Sequence, residues 1–231
     1  MKKNLIKSAK FANLSVQKGG NVQTTLEKQF GCVPVSSSEL RLALQEYRAP
    51  MARIALHQRR GEIIPLRRNL YLCSPDSYSR ELIANRLLAP SYVSYETVLS
   101  ASGIIPERVC SVQSSCLARS RSFDNDTGHY EYICVPRNYY PEGVTINRTS
   151  EGLAYLAARP EKAVCDLILA TSGLRLQSVK SVREYLECYL RADMEAVACW
   201  DPDLVHTLAE LTEKKKNDLL NLERFLRHEC I

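Results

Sequence analysis

Residues 50–72 read PMARIALHQRRGEIIPLRRNLYL. Proline at the first helical position and glycine after the last are typical of a helix from Pro50 that ends at Gly61. Two short β-forming runs follow, at residues 62–66 and 70–72, with a polar turn between them. The stretch therefore predicts a helix and then a two-stranded ribbon, whose tip carries Arg67, Arg68 and Asn69.

Arginine supplies nearly all of the charge in this region. The chain has 31 basic and 26 acidic residues and a formal net charge of +5, and residues 48–72 hold six of the basic residues and one of the acidic. The rest of the chain is therefore electrically balanced. A compact group of guanidiniums without lysine suits phosphate oxygens and base edges. We expect DNA contact here, with a solvated basic surface as the simpler alternative.

A shorter helix is predicted immediately before this one. Ser36 and Glu39 have the S-x-x-E spacing of a capping box, and apolar residues follow at helical spacing: Leu40, Ala43, Leu44 and Tyr47. Two short helices joined by a tight turn at Arg48-Ala49, followed by a ribbon, have the order of a winged helix-turn-helix.

The second helix is expected to have two functional sides. Its packing face is predicted to hold Met51, Ile54, Ala55 and Gln58, while Arg53 and Arg60 lie on the opposite face, which can enter a major groove. His57 lies between the two faces, as a half-buried structural histidine or as a phosphate or base contact. The predicted DNA-binding residues are Arg48, Arg53, His57, Arg59, Arg60, Arg67, Arg68 and Asn69.

Two ribbon residues have specific backbone expectations. Pro65 has no N–H to donate to a strand ladder, so its strand is expected at a sheet edge or at a bulge. Asn69 tolerates a positive φ, so it can form the turn while its amide faces outward.

Three blocks of the sequence resemble the AbiE-type (AbiEi family) antitoxins. GEIIPLRRNLYL, residues 61–72, is similar to the wing of that family. Residues 91–107, with SYVSYETVLS and GIIPE, resemble the start of its second domain, and RPEKAVCDLI, residues 159–168, resembles its helix with Glu-Lys-Ala and Asp. The resemblance covers residues 36–175 in the same order. Asn69 replaces the usual wing glycine, and His57 replaces an aliphatic residue.

The resemblance implies an antitoxin of a bacterial type IV toxin–antitoxin system, cytoplasmic and active in phage defence, that represses its own operon. The implied partners are double-stranded DNA of its own promoter, with inverted repeats, and a nucleotidyltransferase-like toxin that it opposes without a stable complex. We expect no cofactor, metal, catalytic residue or membrane contact, and a monomer or weak dimer. A plain winged-helix transcription factor, with a sensing or dimerising second domain, remains an alternative.

A restriction-type nuclease is the other alternative. Pro202-Asp203 and Glu213-Lys214-Lys215 formally match PD-x-ExK. That chemistry needs two carboxylates on adjacent strands around a divalent metal. The intervening residues favour a helix, which would separate Asp203 from Glu213 by about 15 Å. The pattern therefore does not predict catalysis.

The length of 231 residues, 45% of them hydrophobic, suits two domains, which we place at residues 1–75 and 76–231. The expected fold class is α+β: a winged helix-turn-helix, then a mixed α/β domain with a small sheet and C-terminal helices. Strands are predicted at residues 109–114, 119–123, 130–135 and 153–157. Helices are predicted at residues 79–88, 95–102, 161–171, 183–190, 203–211 and 214–227.

Cysteine usage and hydropathy bound the environment. The nine cysteines form no CxxC pair, so we expect them to be reduced and mostly buried, as in a cytoplasmic protein. No apolar run approaches the ~20 residues of a membrane span, and the N-terminus lacks a secretion signal.

Residues 1–17 predict a basic amphipathic helix or a DNA-contacting arm. A tyrosine cluster is expected either in the core or on an adhesive surface: Tyr130, Tyr132, Tyr139 and Tyr140.

Overall fold

The computed structural model describes residues 25–229, so the predictions for residues 1–17 and for Cys230 lie outside the described residues. Within that range the chain is a mixed α+β protein with ten α-helices and nine strands in two sheets. The α+β class is confirmed.

The first part of the chain contains three helices and a three-stranded sheet. The helices are α1 (Thr25–Phe30), α2 (Ser37–Ala43) and α3 (Pro50–Arg59), and the strands are β1 (Val35–Ser36), β2 (Ile64–Arg67) and β3 (Leu70–Leu72). The strands are antiparallel in the order β1-β3-β2. Pro65 therefore lies on an edge strand, and the register shifts between Pro65 and Arg67, so both expectations for this proline are confirmed.

The capping, helix-start and turn residues of this part adopt the structures that the sequence predicts. Ser36 Oγ accepts from the main-chain nitrogen of Glu39 at 3.2 Å, and the Glu39 carboxylate accepts from the main-chain nitrogen of Ser36 at 2.6 Å, so the capping box is formed. Pro50 is the first residue of α3, and Gly61 follows its end with φ of 71°. Asn69 has φ of 64°, which confirms its role in the ribbon turn.

A six-stranded mixed sheet organises the rest of the chain. Its strands run in the order β6-β7-β5-β4-β9-β8. Their bounds are β4 (Ser91–Val93), β5 (Val112–Cys116), β6 (Arg121–Asn125), β7 (Gly128–Cys134), β8 (Val144–Arg148) and β9 (Ala154–Ala158). The predicted hairpin is confirmed as β6–β7, whereas β4 and β8 were not predicted.

Seven helices complete the described part of the chain. They are α4 (Arg80–Leu87), α5 (Tyr95–Ala101), α6 (Pro160–Ala170), α7 (Val179–Glu184), α8 (Met194–Ala198), α9 (Pro202–Glu210) and α10 (Lys216–Glu229). A π-helical turn, Tyr185–Tyr189, continues α7. Alternate residues of the sheet face opposite layers: Tyr132 donates to the Ala84 carbonyl oxygen on α4 at 2.6 Å, and Ser115 donates to Asp166 on α6 at 3.1 Å.

Two hydrophobic clusters lie on either side of the ribbon. The smaller cluster joins α1, α2, α3 and the start of the ribbon, and it includes Leu40 and Ile54. The larger cluster fills the space around the six-stranded sheet and also contains Leu66, Leu70 and Leu72 of the ribbon. The ribbon therefore packs one of its sides into the larger cluster.

The remaining expectations have mixed outcomes. Tyr130, Tyr132 and Tyr139 are buried and Tyr140 is half-buried, which confirms the core assignment. The eight described cysteines are free, but only four of them are buried, so the expectation of mostly buried cysteines is wrong: Cys110, Cys134, Cys188 and Cys199 are exposed. Among the described residues, every helix is too short or too polar to cross a membrane.

Candidate nucleic-acid interface

Helix α3 turns a different side to solvent from the one expected. Ile54 is its single buried residue, and Arg53 and His57 are half-buried on the same side. Met51, Ala55 and Gln58 are exposed, so the expectation that they pack inward is wrong. The packed side of so short a helix depends on where its neighbours lie, and the helix has no apolar stripe wide enough to specify that side alone.

The exposed side of α3 carries small residues and then two polar side chains. Ala52 and Ala55 have short side chains, so another molecule can approach the helix backbone closely there. Gln58 and Arg59 project from the last turn of the helix. Arg59 Nε donates to the Ala55 carbonyl oxygen at 3.3 Å. A glutamine amide can pair with adenine through two hydrogen bonds in the major groove. Sequence reasoning missed Gln58 because it assigned that residue to the packed side.

Arg53 is held by the turn before α3. Its guanidinium carbon lies 4.8 Å from the centroid of the Tyr47 ring, and its Nε is buried without a hydrogen-bond partner. Tyr47 itself was expected on the packed side of α2, but it lies beyond the end of that helix and is half exposed. Arg53 therefore packs against the turn and does not lie on the open side of α3, contrary to its expected position opposite the packed face.

His57 and Arg60 both approach the acidic residue of the stretch. His57 Nδ1 contacts the carboxylate of Glu62, and Arg60 lies 3.9 Å from the same carboxylate. The main-chain nitrogen of Glu62 donates to the His57 carbonyl oxygen at 3.0 Å across the Gly61 turn. Only 13% of the His57 side chain is exposed. These contacts join the end of α3 to the start of the ribbon and favour the structural role of His57.

The arginine side chains at the ribbon tip are exposed and unpaired among the described residues. Arg67, Arg68 and Asn69 are exposed, and so is Arg48 in the turn before α3. Within residues 25–229, Arg48, Arg67 and Arg68 have no ion-pair partner. The Asn69 carbonyl oxygen accepts from the main-chain nitrogen of Ser37 at 3.1 Å, so the tip is tied to the start of α2 through the backbone. The charged groups remain available to a polyanion.

A buried ion pair lies outside this surface, on α6. Lys162 Nζ is 3.8 Å from the Asp166 carboxylate, and both side chains are fully buried. Lys162 also donates to the Tyr139 carbonyl oxygen at 3.1 Å. Burial lowers the pKa of Lys162, although Asp166 opposes that shift. These two residues belong to the RPEKAVCDLI block that carries the family resemblance.

Three hydroxyl groups complete the surroundings of Asp166. Its carboxylate accepts from Ser94 at 2.5 Å, Tyr139 at 2.8 Å and Ser115 at 3.1 Å. Lys162 adds an ion pair, so the cluster connects α6 to strand β5, to the start of α5 and to the loop that holds Tyr139. A buried carboxylate with an ion pair and three hydrogen bonds stabilises the core.

The carboxylates of the nuclease alternative do not have the arrangement that this chemistry requires. Asp203 lies on α9, and its carboxylate accepts from Arg227 at 2.5 Å, whereas Glu213 follows the end of that helix. In the described chain Asp203 lies on a helix and Glu213 in a loop, so neither carboxylate is on one of two adjacent strands. Residues 25–229 also contain no group of three His, Cys, Asp or Glu side chains that could hold a metal.

No protein-family model matches this sequence, and a comparison with curated proteins finds no relative. The resemblance to the AbiE-type antitoxins therefore stays a prediction that rests on the three sequence blocks.

Proposed function

We propose that helices α1–α3 and the three-stranded sheet form a winged helix-turn-helix that binds duplex DNA through α3 and the ribbon tip. The observation that carries the proposal is the open side of α3, where Ala52 and Ala55 permit close approach and Gln58 and Arg59 offer groups for base edges and phosphates. The unpaired Arg67 and Arg68 at the ribbon tip add two further phosphate or minor-groove contacts.

Topology supports the same proposal. The order of helices and strands, with the sheet order β1-β3-β2, is that expected of a winged helix. The separate cluster around Leu40 and Ile54 supports a DNA-binding domain at residues 1–75 and a second domain at 76–231. Leu66, Leu70 and Leu72 couple the two, because they pack in the larger cluster.

The proposed biological role follows the resemblance to AbiE-type antitoxins. In this role the chain is a cytoplasmic repressor of its own operon that opposes a nucleotidyltransferase-like toxin without forming a stable complex. It acts as a monomer or weak dimer on inverted repeats. Arg48, Arg59, Arg60, Arg67, Arg68 and Asn69 contact DNA, while Arg53 and His57 position α3.

Salt dependence tests the DNA-binding proposal. The full-length protein is titrated against its own promoter fragment at several salt concentrations. Each phosphate contact contributes about −0.9 to the slope of log affinity against log salt, so a steep negative slope is expected. The Arg67→Ala/Arg68→Ala variant should have a shallower slope, whereas Arg119→Ala, an exposed arginine elsewhere, should match the wild type. A flat dependence for the wild type contradicts the proposal.

Growth assays test the antitoxin role. The full chain is expressed from an unrelated promoter together with a nucleotidyltransferase-like toxin encoded in the adjacent reading frame. We expect the wild type to restore growth. The Arg67→Ala/Arg68→Ala variant should restore it equally, because the second domain is assigned the opposition to the toxin. Failure of the wild type contradicts the antitoxin role, and failure of the variant alone assigns protection to DNA binding.

A further inference from the structure

An aromatic hollow lies beside the π-helical turn. Its volume is about 510 Å³, and Tyr185 and Tyr189 line it together with Arg175, Leu176 and Glu184. The two tyrosine rings are stacked, with centroids 5.4 Å apart and an angle of 15° between their planes. Tyr185 is buried, whereas 70% of Tyr189 is exposed. Tyr185 therefore covers part of one ring face of Tyr189, and the ring keeps a large open surface.

The π-helical turn sets the position of this stack. The main-chain nitrogen of Leu190 donates to the Tyr185 carbonyl oxygen, five residues earlier, at 2.9 Å. Such turns are rare and frequently occur at functional sites. An exposed tyrosine held on a second ring has little conformational freedom left to lose, which makes it suitable for stacking on another flat aromatic group.

A basic hollow adjoins the aromatic one. Its volume is about 530 Å³, and Arg175 and Leu176 line both hollows. Four cations line it, against two carboxylates: Arg175, Lys215, Lys216 and Arg224, with Glu213 and Asp218. Such a lining has an excess of positive charge and favours an anion.

Most of these charged groups already have partners, and two arginines stand out. Asp218 accepts from the main-chain nitrogen of Leu176 at 2.5 Å, and Lys216 pairs with Glu210 at 2.7 Å. Lys215 donates to carbonyl oxygens at the end of α6. Arg224 contacts only the Asn221 amide, at 3.3 Å, and Arg175 has no hydrogen-bond or ion-pair partner among the described residues.

We propose that the two hollows together bind a nucleotide, with its base stacked on Tyr189 and its phosphate held by Arg175 and Arg224. Glu184 lines the aromatic hollow. Its carboxylate would repel a phosphate there, so the phosphate is expected in the basic hollow. Base stacking on an aromatic side chain is tolerant of base identity, and arginine suits phosphate oxygens. Duplex DNA does not fit this site, because its bases are paired and already stacked. The site is independent of the α3 and ribbon surface.

The ligand chemistry is that of a nucleoside phosphate with an unpaired base, either free or within a single strand. Calorimetric titration of the full-length protein with AMP, adenosine and inorganic phosphate tests it. We expect AMP to bind more tightly than either of its parts. Tyr189→Ala should weaken AMP binding roughly 5- to 150-fold through lost stacking, whereas Tyr189→Phe should bind like the wild type.

Charge variants test the phosphate contact. Arg175→Ala/Arg224→Ala should reduce the affinity for AMP towards that for adenosine. Tyr78→Ala and Arg119→Ala, exposed residues of the same types outside the two hollows, are the matched controls and should change nothing. Because Tyr189 and Arg175 are exposed, their replacement should leave the thermal unfolding temperature near that of the wild type.

A short single-stranded oligoadenylate distinguishes the two sources of the ligand. The titration uses the Arg67→Ala/Arg68→Ala background, so that the ribbon tip does not contribute. Binding of AMP that depends on Tyr189 supports a free nucleotide, and binding of the oligoadenylate alone, with the same dependence, supports a single strand. The proposal is overturned if the binding of neither probe depends on Tyr189, or if oligoglutamate binds as tightly as the probe whose binding does.

Discussion

Asn125 donates from its side-chain amide to the Leu66 carbonyl oxygen, 3.1 Å away, and so attaches the ribbon to the six-stranded sheet. The amide oxygen of Asn125 accepts from the main-chain nitrogen and the hydroxyl of Thr127, at 2.9 and 2.6 Å, which orients its nitrogen towards the ribbon. Thr127 in turn contacts the hydroxyl of the buried Tyr130 at 2.6 Å. The end of β6 and the turn after it therefore hold the ribbon against the sheet, together with the packing of Leu66, Leu70 and Leu72.

This relationship predicts that Asn125 affects DNA binding from outside the DNA-binding surface. Asn125→Asp keeps the acceptor for Thr127 but puts a carboxylate oxygen against the Leu66 carbonyl. We expect a loss of stability of about 1–3 kcal/mol and weaker binding to promoter DNA. Denaturant unfolding and DNA titration measure the two effects. The exposed Asn138→Ala is the control. Unchanged DNA affinity in Asn125→Asp, despite lower stability, would contradict the coupling.

The open side of α3 predicts different effects for neighbouring residues. Gln58→Ala should relax sequence preference by about 1–3 kcal/mol if its amide reads a base, and Arg59→Ala should weaken binding to all sequences alike. Gln45→Ala, an exposed glutamine before α3, serves as the control. Competition between promoter and unrelated duplexes measures both effects. Equal losses on both kinds of duplex for Gln58→Ala would exclude base reading by this residue.

Arg53 is expected to act through stability. Its guanidinium lies over the Tyr47 ring, an arrangement that contributes about 0.5–2 kcal/mol. Arg53→Ala should therefore lower the free energy of unfolding by about that amount, and Tyr47→Ala should remove the same interaction. A double-mutant cycle in denaturant measures their coupling. Independent effects of the two substitutions would contradict the contact.

The two arginines at the ribbon tip should contribute differently to DNA binding. Arg67 ends β2 and Arg68 begins the turn, so the two side chains project in different directions. One is expected to enter a narrow minor groove and the other to hold a phosphate. Single alanine substitutions should therefore differ: one loses preference for A·T-rich flanks, and the other weakens binding uniformly. Two silent substitutions at low salt would show that the tip does not touch DNA.

The Lys162–Asp166 pair predicts a large stability effect with strong coupling. Lys162→Met leaves a buried carboxylate without its cation and should cost about 3–5 kcal/mol. Adding Asp166→Asn removes the orphaned charge while keeping an acceptor for the hydroxyl groups, so the double variant should lose less than the sum of the single variants. Denaturant unfolding measures each variant, and Lys180→Met, on an exposed lysine, is the control. Additive losses would contradict the pairing.

The pH dependence of stability has a defined sign for Lys162. Its pKa in the folded protein lies below the ordinary value of 10.5, so between the two values the unfolded chain binds more protons than the folded chain. The free energy of unfolding therefore gains a contribution that rises with pH across that window. That contribution should be absent in Lys162→Met, which unfolding at several alkaline pH values tests against the wild type.

The sequence by itself determined the features that depend on a few neighbouring residues. The Ser36–Glu39 capping box, the helix start at Pro50, the stop at Gly61 and the positive φ of Asn69 were all predicted. Each follows from the stereochemistry of one turn, so no distant contact is needed to specify it. The three-residue strand β4 was missed because so short a run has no detectable period.

Only the tertiary structure decided which side of α3 is open and which charges are buried. Gln58 faces solvent and Arg53 packs on Tyr47 because the neighbouring elements cover one narrow side of the helix. Lys162 and Asp166 look like a helix surface pair, but Ser94, Ser115 and Tyr139, all more than 20 residues away in the chain, surround them. A charged side chain is buried only where distant donors and acceptors replace water, and those groups are brought together by folding.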